Sequence, residues 1–511
     1  MYHSIKISVK EGELYNYFDN LCKKYNNMIN VVHYHIRQCM SGLKKPEDER
    51  FPNETEVINS IASALEVMNA PKLTKDGIPK KKPERKPKKV SAKKSKSTKK
   101  KVKKEGFTMP TAEEWFLGYN FLDAYFKKTK NVDYYALPAH VNQDAIKDAI
   151  ESWSSYFGLI ASFKENPSAF KGMPKPPYYR ESGGYATATL SNQICKVKKK
   201  NDSCYLMFPK TKLTLNIGKI ELAKFKLKET KIQPSYGHFD VVMTFDDGVE
   251  TPPVSENPER VLGIDLGVTN IVTISNNIGL KPVIIKGGVI KSYNQWVNKK
   301  SAEIQSLIDT SSDEKWNGLT PLEQKPRLWG YRDYFFGDTF SKISKYIVDY
   351  AVDNYCDTIV IGKSNHWKTD SDIGRVNNQS FCFIPHNKLI NDIKYRAERV
   401  GIRVIINEES YTSQASFLDN DNIPVYGEVK GKQTFSGERV HRGLYRSKNG
   451  TFLNADVNGA SNIIRKALPE AFKGITDFSY LWTSVETKNF RDFVKLPKFK
   501  YSASQRIVNP V

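Results

Sequence analysis

The chain has 511 residues, and its 79 Lys and Arg against 56 Asp and Glu leave a formal charge of +23. That length accommodates about three or four domains, and 7 Trp, 27 Tyr and 26 Phe exclude a disordered polymer. So basic a balance selects a polyanionic partner, nucleic acid or an anionic membrane surface, while no apolar run approaches the roughly 20 residues that span a bilayer.

Residues 4–9 alternate like a strand, and Tyr15 to Met40 read as a helix. A second helix starts near Asn53 and continues through Val57, Ile61 and Leu65. The Lys/Pro/Ser run 71–106 holds 17 Lys and Arg against three acids, so it carries +14 and the other 475 residues only +9. Such a run cannot bury a core and reads as a disordered insert, either a solvated spacer or an electrostatic arm on nucleic acid. Two helices are predicted between Thr111 and Glu165, the first marked by Trp115, Leu117, Phe121 and Tyr125 and the second by Ile146, Ile150, Trp153 and Phe157. From Gly184 to Phe245 the period changes to two, as in a small antiparallel barrel or sheet, and Asp246–Pro258 reads as a linker.

A third region begins at Val261. Val261–Leu266, Ile271–Ser275 and Val283–Ile290 predict an antiparallel meander. Helices over Ser292–Asp309 and Leu328–Asn354, a buried strand Thr358–Ile361, a helix His386–Val400 and a strand Ile402–Ile406 follow. Residues 411–455 are irregular and polar, and a helix Val457–Leu468 closes the region. This is the order of an RNase H-like α/β domain with an insertion before its last helix. The six cysteines contain no C-x-x-C pair, which predicts neither a disulfide framework nor a cysteine zinc site and fits a reducing cytoplasm. The N-terminus lacks a signal peptide's apolar segment.

Asp265 ends a strand among apolar neighbours, where an unpaired carboxylate costs several kcal/mol unless a metal ion or a tight turn resolves it. Asp456 opens the last helix, as a metal ligand or as an N-cap. Two-metal phosphodiester hydrolysis needs several carboxylates on adjacent elements. Strand 358–361 ends in Gly362 without an acid, but strand 402–406 ends in Asn407-Glu408-Glu409, where either acid could complete a triad.

Gly-Ile-Asp-Leu-Gly-Val-Thr-Asn (263–270), Glu-Ser-Tyr-Thr-Ser-Gln (409–414) and Asn-Ala-Asp-Val-Asn-Gly-Ala (454–460) together resemble TnpB. TnpB is the transposon-encoded family of RNA-guided nucleases ancestral to type V CRISPR effectors. The resemblance implies a multidomain α+β chain, with a helical recognition lobe inserted in a wedge-type β-barrel and then an RNase H-like α/β RuvC nuclease domain. The expected parts are a first wedge strand (1–10), the helical lobe (11–175, with the insert 71–106), the wedge barrel and linker (176–256), the RuvC nuclease (257–410), a target-nucleic-acid-binding insertion (411–455), the last RuvC helix (456–470) and a C-terminal tail (471–511).

The implied catalytic set is Asp265, Glu409 and Asp456, holding two Mg²⁺ ions, with Mn²⁺ as a substitute. Most TnpB proteins place the second acid just after the strand corresponding to 358–361. One branch, shared with the eukaryotic Fanzor proteins, moves it ahead of Tyr-Thr-Ser, and Glu409 matches that alternative with Glu408 as its neighbour. The usual zinc module is missing, since no Cys lies between 383 and 511, so no zinc is expected. Arg439, Arg442, Tyr445, Arg446 and Lys448 keep a basic, aromatic character suited to nucleic acid. The implied partners are a guide RNA, double-stranded target DNA and its displaced strand, with no membrane, in a prokaryotic cytoplasm. Two other readings compete. A nuclease-dead guide-dependent DNA-binding protein would rest on Gly362, and an actin-like ATPase would need a second phosphate loop that the sequence lacks.

Overall fold

In the computed structural model, residues 1–70, 106–311, 314–315, 318–363, 383–425, 433–441 and 443–493 are described. The Lys-rich run, apart from Gly106, and the end of the expected C-terminal tail lie outside them. No helix among the described residues is long and apolar enough to cross a membrane.

The chain divides into two compact units at Gly248/Val249, inside the predicted linker. The first holds β1 (Tyr2–Val9), α1 (Glu13–Gly42), α2 (Pro52–Asn69), α3 (Tyr119–Lys128), α4 (Val132–Ala136) and α5 (Val141–Glu165). Six strands follow, β2 (Ala188–Ser191), β3 (Lys196–Lys200), β4 (Ser203–Met207), β5 (Thr214–Gly218), β6 (Lys226–Ser235) and β7 (His238–Asp246). Phe18, Tyr25, Met28, Val32 and Ile36 recur every three to seven residues along α1, and this stripe is buried. It packs with Ile146 and Trp153 of α5, and the Trp153 indole donates to His33 Nδ1 at 3.1 Å. Two antiparallel sheets, ordered β1-β7-β6-β2 and β3-β4-β5, contribute to the same core. The predicted helix from Thr111 is shorter than its apolar spacing suggests. Trp115 and Leu117 lie in a non-helical lead-in, and the helix begins only after Gly118.

The second unit carries β8 (Val261–Leu266), β9 (Asn270–Asn276), β10 (Val283–Lys286), α6 (Gly288–Asp309), α7 (Pro321–Asp353) and β11 (Thr358–Gly362). It continues with α8 (His386–Arg399), β12 (Arg403–Asn407), β13 (Glu438–His441), β14 (Leu444–Arg446), β15 (Phe452–Asn454) and α9 (Ala455–Ala467), ending in α10 (Tyr480–Thr483), β16 (Glu486–Lys488) and α11 (Phe490–Phe493). The main sheet runs β12-β11-β8-β9-β10-β16. β8, β9 and β10 form the predicted antiparallel meander, and β11 and β12 add parallel to β8. The predicted strand to Ile290 stops at Lys286, because Gly287 and Gly288 turn the chain into α6. Residues 411–455 are less irregular than predicted, since they contain the antiparallel sheet β13-β14-β15.

One face of the main sheet lies under α9. A Cβ on Gly263 would stand 2.4 Å from the Ala460 carbonyl oxygen, so only glycine lets the helix approach there. Val261 and Val360 meet Ile463 and Ile464 of α9 on the same face.

Candidate active site

Parallel pairing of Val360 with Gly263 and Ile361 with Ile264 brings Gly362 and Asp265 side by side at the strand ends, about 4.8 Å apart. Gly362 pairs in turn with Asn407 on β12. Two residues further, the Glu409 carboxylate folds back over Gly362. Its Oε2 lies 2.9 Å from where a Cβ on residue 362 would stand, and Ile463 Cδ1 lies 2.4 Å from that point. The Glu409 carboxylate thus occupies the space that a side chain at the end of β11 would fill.

A tight turn holds Glu409 in this position. The Thr412 amide and hydroxyl both donate to the Glu409 carbonyl, at 3.1 and 2.8 Å. Tyr411 adopts a left-handed φ of 65°, which costs an L-residue roughly 1–2 kcal/mol. Two buried asparagines of α9 offset that cost. Asn462 Nδ2 donates to the Thr412 and Ala415 carbonyls at 2.9 and 2.7 Å, and Asn458 Nδ2 to the Ala415 carbonyl at 2.8 Å. Glu408 is engaged differently. It pairs with Lys466, whose ammonium also donates to the Ser410 and Pro424 carbonyls, and it accepts from the Ser410 amide at 2.7 Å. Those partners hold the Glu408 carboxyl below its usual range despite partial burial.

Asp456 does not cap its helix. Asn454 does, its Oδ1 accepting from the Asp456 and Val457 amides at 2.9 and 3.3 Å. The Asp456 carboxylate is therefore directed elsewhere, accepting from Asn270 Nδ2 at 2.6 Å and facing Arg439 Nη2 at 3.4 Å. One turn along α9, Gly459 gives Asp265 room, since a Cβ there would stand 2.9 Å from Asp265 Oδ2. Burial, and after it the nearby Asp456 charge, push the Asp265 carboxyl up to about 7 against the opposing pull of Arg439 and the Leu266 amide.

Two crowded carboxylates on this rigid base, with a third at the neighbouring strand end, are a hard-oxygen donor set suited to a divalent cation such as Mg²⁺. Among the described residues no three His, Cys, Asp or Glu side chains are gathered closely enough to hold one ion. Sharing an ion requires their side chains to converge.

The five residues expected to contact nucleic acid divide. Arg439, Arg446 and Lys448 are exposed, Arg439 beside Asp456 and Arg446 paired with Glu438. Tyr445 corrects the expectation. It is fully buried, its hydroxyl donates to the Gln414 carbonyl at 2.7 Å, and burial pushes its phenol up to about 12. Its ring anchors the small sheet instead of lining a surface. Arg442 lies outside the described residues. The segment is tied down by carboxylates, with Asp421 accepting from the Ser416 and Ser436 amides at 2.8 and 3.1 Å and Asp419 from the Lys448 amide at 2.8 Å. Asn270, Asn454 and Gly459 all stand in motifs quoted from the sequence, but their roles depend on contacts between distant segments.

Residues 245–368 match the OrfB_IS605 model, described as a probable transposase, and residues 386–463 match the TNB domain of Cas12f1-like proteins. The CRISPR-associated endodeoxyribonuclease Cas12f1 of Sulfoacidibacillus thermotolerans is 27% identical over 225 residues, 42% of this chain and 48% of that protein. The TnpB-like protein ORF457 of Acidianus two-tailed virus is 25% identical over 219 residues, 41% of this chain and 42% of that protein. The chain thus spans about half the length of the curated relatives it matches. A solved complex of Cas12f1 with sgRNA and target DNA aligns over 68% of this chain and 75% of that one, at 13% identity and a TM-score of 0.41. Two models of this kind match within residues 245–463, which include all three carboxylates, and a TnpB-like protein is among the relatives, so over this region the chain is similar to TnpB and Cas12f1-type proteins.

Proposed function

We propose that the chain is an RNA-guided DNA endonuclease with one RuvC-type site, formed by Asp265, Glu409 and Asp456. The observation that carries this reading is the Glu409 carboxylate standing where a residue-362 side chain would be, beside Asp265 and under the α9 that bears Asp456. It favours the branch with a relocated glutamate over a nuclease-dead protein, because the position left empty by Gly362 is filled by another acid. The strand order β10-β9-β8-β11-β12, an antiparallel meander followed by two parallel strands, agrees with an RNase H-like sheet. Curated relatives named as endodeoxyribonucleases support the substrate class.

In this reading the first unit, with its helices 11–175 and its sheets, grips a guide RNA, while base pairing supplies target specificity. The insertion 411–455 guides the displaced DNA strand to the site through Arg439, Arg446 and Lys448. Asp265, Glu409 and Asp456 would hold the metal, which when bound activates water and stabilises the leaving oxygen. Asn270 and Arg439 orient the Asp456 carboxylate, and the Arg439 guanidinium supplies positive charge where a scissile phosphate would approach. The test is to purify the chain, sequence the RNA that copurifies, replace its guide segment and assay a matching plasmid with Mg²⁺. Cleavage that follows the new guide supports the reading, and an uncut matching plasmid overturns it.

A further inference from the structure

Asn270 accepts as well as donates. Its Nδ2 donates to Asp456 Oδ2 at 2.6 Å, and its Oδ1 accepts from Lys286 Nζ at 3.1 Å. The amide therefore bridges an ammonium on β10 to a carboxylate on α9. Its two ends have opposite polarity, so a flipped Asn270 would set an oxygen against the Asp456 carboxylate. The other Asp456 oxygen faces Arg439, which leaves Asn270 to fix Oδ2.

The end of β10 is shaped to bring Lys286 to this amide. Val283, Ile284 and Ile285 pair with Ile274, Thr273 and Val272, and an unbroken register would set Lys286 opposite the fully buried Ile271. A bulge passes over Ile271 and sets Lys286 opposite Asn270 instead. The next residue closes the two segments together. The Gly287 amide donates to the Thr269 carbonyl at 2.8 Å, and a Cβ on Gly287 would stand 2.3 Å from the Val268 carbonyl oxygen, so only glycine fits there. Lys286 itself is exposed, and its hydrogen bond goes to a neutral amide instead of an acid.

We propose that Lys286 is a positioning residue of the carboxylate site. Its ammonium fixes which end of the Asn270 amide meets Asp456, and so holds the Asp456 carboxylate in the orientation that receives a divalent cation. Lys286 touches no reacting atom and acts through Asn270. The inference deepens the RuvC-type reading and rests on it for the role of Asp456. Two rival explanations are that Lys286 contacts a DNA phosphate directly, or that it serves only the fold of the β10 end.

The experiment compares the full chain with Lys286→Met, Lys286→Arg, Asn270→Ala and the double variant Lys286→Met/Asn270→Ala. One readout is single-turnover cleavage of guided DNA. The other is the Mn²⁺ concentration that half-saturates the rise in melting temperature without DNA, with Asp265→Ala as the baseline. Losing a direct partner of a metal ligand costs 10–100-fold in affinity or activity, and Lys286 stands one hydrogen bond further out, so Lys286→Met shifts both readouts about fivefold. Its melting temperature in chelator stays at the wild-type value, and Lys286→Arg restores most of both readouts. The double variant matches Asn270→Ala, because the lysine then has nothing to act through. Additive losses in the double variant assign Lys286 to the DNA and overturn the proposal. So does a lower melting temperature in chelator with an unchanged Mn²⁺ midpoint, which assigns it to the fold. A shifted Mn²⁺ midpoint in a chain whose wild type cuts no guided DNA refutes the nuclease reading alone. Guided cleavage by the wild type, with both readouts unchanged in Lys286→Met, refutes this inference alone.

Discussion

Gly362→Ala adds one methyl group at the point where β11, α9 and the Glu409 side chain converge. The new Cβ would stand 2.4 Å from Ile463 Cδ1 and 2.9 Å from Glu409 Oε2, both inside van der Waals contact. Overpacking of this kind costs about 1–3 kcal/mol, which lowers the melting temperature of a unit this size by roughly 2–10 °C. The Glu409 carboxylate must also move, and a misplacement near 1 Å in a catalytic constellation costs on the order of 100-fold in rate. The two effects separate in the double variant Gly362→Ala/Ile463→Val, which removes the clashing Cδ1 but leaves the methyl against Glu409. Thermal melts and single-turnover cleavage of guided DNA are measured on both variants. The double variant recovers most of the melting temperature while cleavage stays at least tenfold down. Wild-type cleavage in Gly362→Ala, or recovery of both properties together in the double variant, would refute the placement of Glu409.

Three further predictions concern the same site. Without metal, folded Asp265 keeps its proton to about pH 7, whereas an unfolded aspartate loses it near 3.8. Stability from this group is therefore complete below pH 4 and falls as pH rises to 7, by a ceiling of roughly 4 kcal/mol. Asp265→Asn removes that fall, so denaturant melts in chelator show the variant gaining on wild type between pH 4 and 7; parallel pH profiles contradict the buried, Asp456-crowded carboxyl. Asn270→Ala frees one oxygen of Asp456 and lowers guided cleavage about tenfold with little change in melting temperature, while Asn270→Gln restores part of it. A melting loss without a rate loss would assign Asn270 to the fold alone. Lys466→Ala leaves Glu408 and two carbonyls without their shared donor and costs about 2–3 kcal/mol in melts.

The meander, the strand-end aspartate and the last helix were legible because buried strands read as apolar runs and Asp265 interrupts one of them. From the residues alone Glu409 was legible as one of two adjacent acids at a strand end, and only the resemblance around Tyr-Thr-Ser preferred it to Glu408. In the structure the two acids differ through Lys466, 58 residues away, which takes Glu408, and through the Tyr411 turn, which no local pattern announces. Tyr445 was misread because a Tyr among arginines has the composition of a nucleic-acid surface. Its burial follows from the pairing of β14 with β15 and from the Gln414 carbonyl, contacts that composition does not encode.

The central claim is tested most directly by guided DNA cleavage in Glu409→Ala and Glu408→Ala, with RNA and target binding measured on the same preparations. Glu409→Ala binds RNA and target as the wild type does and loses cleavage by at least 100-fold, whereas Glu408→Ala cuts while melting at a lower temperature. Wild-type cleavage by Glu409→Ala, or an uncut target with folded Glu408→Ala, contradicts the account.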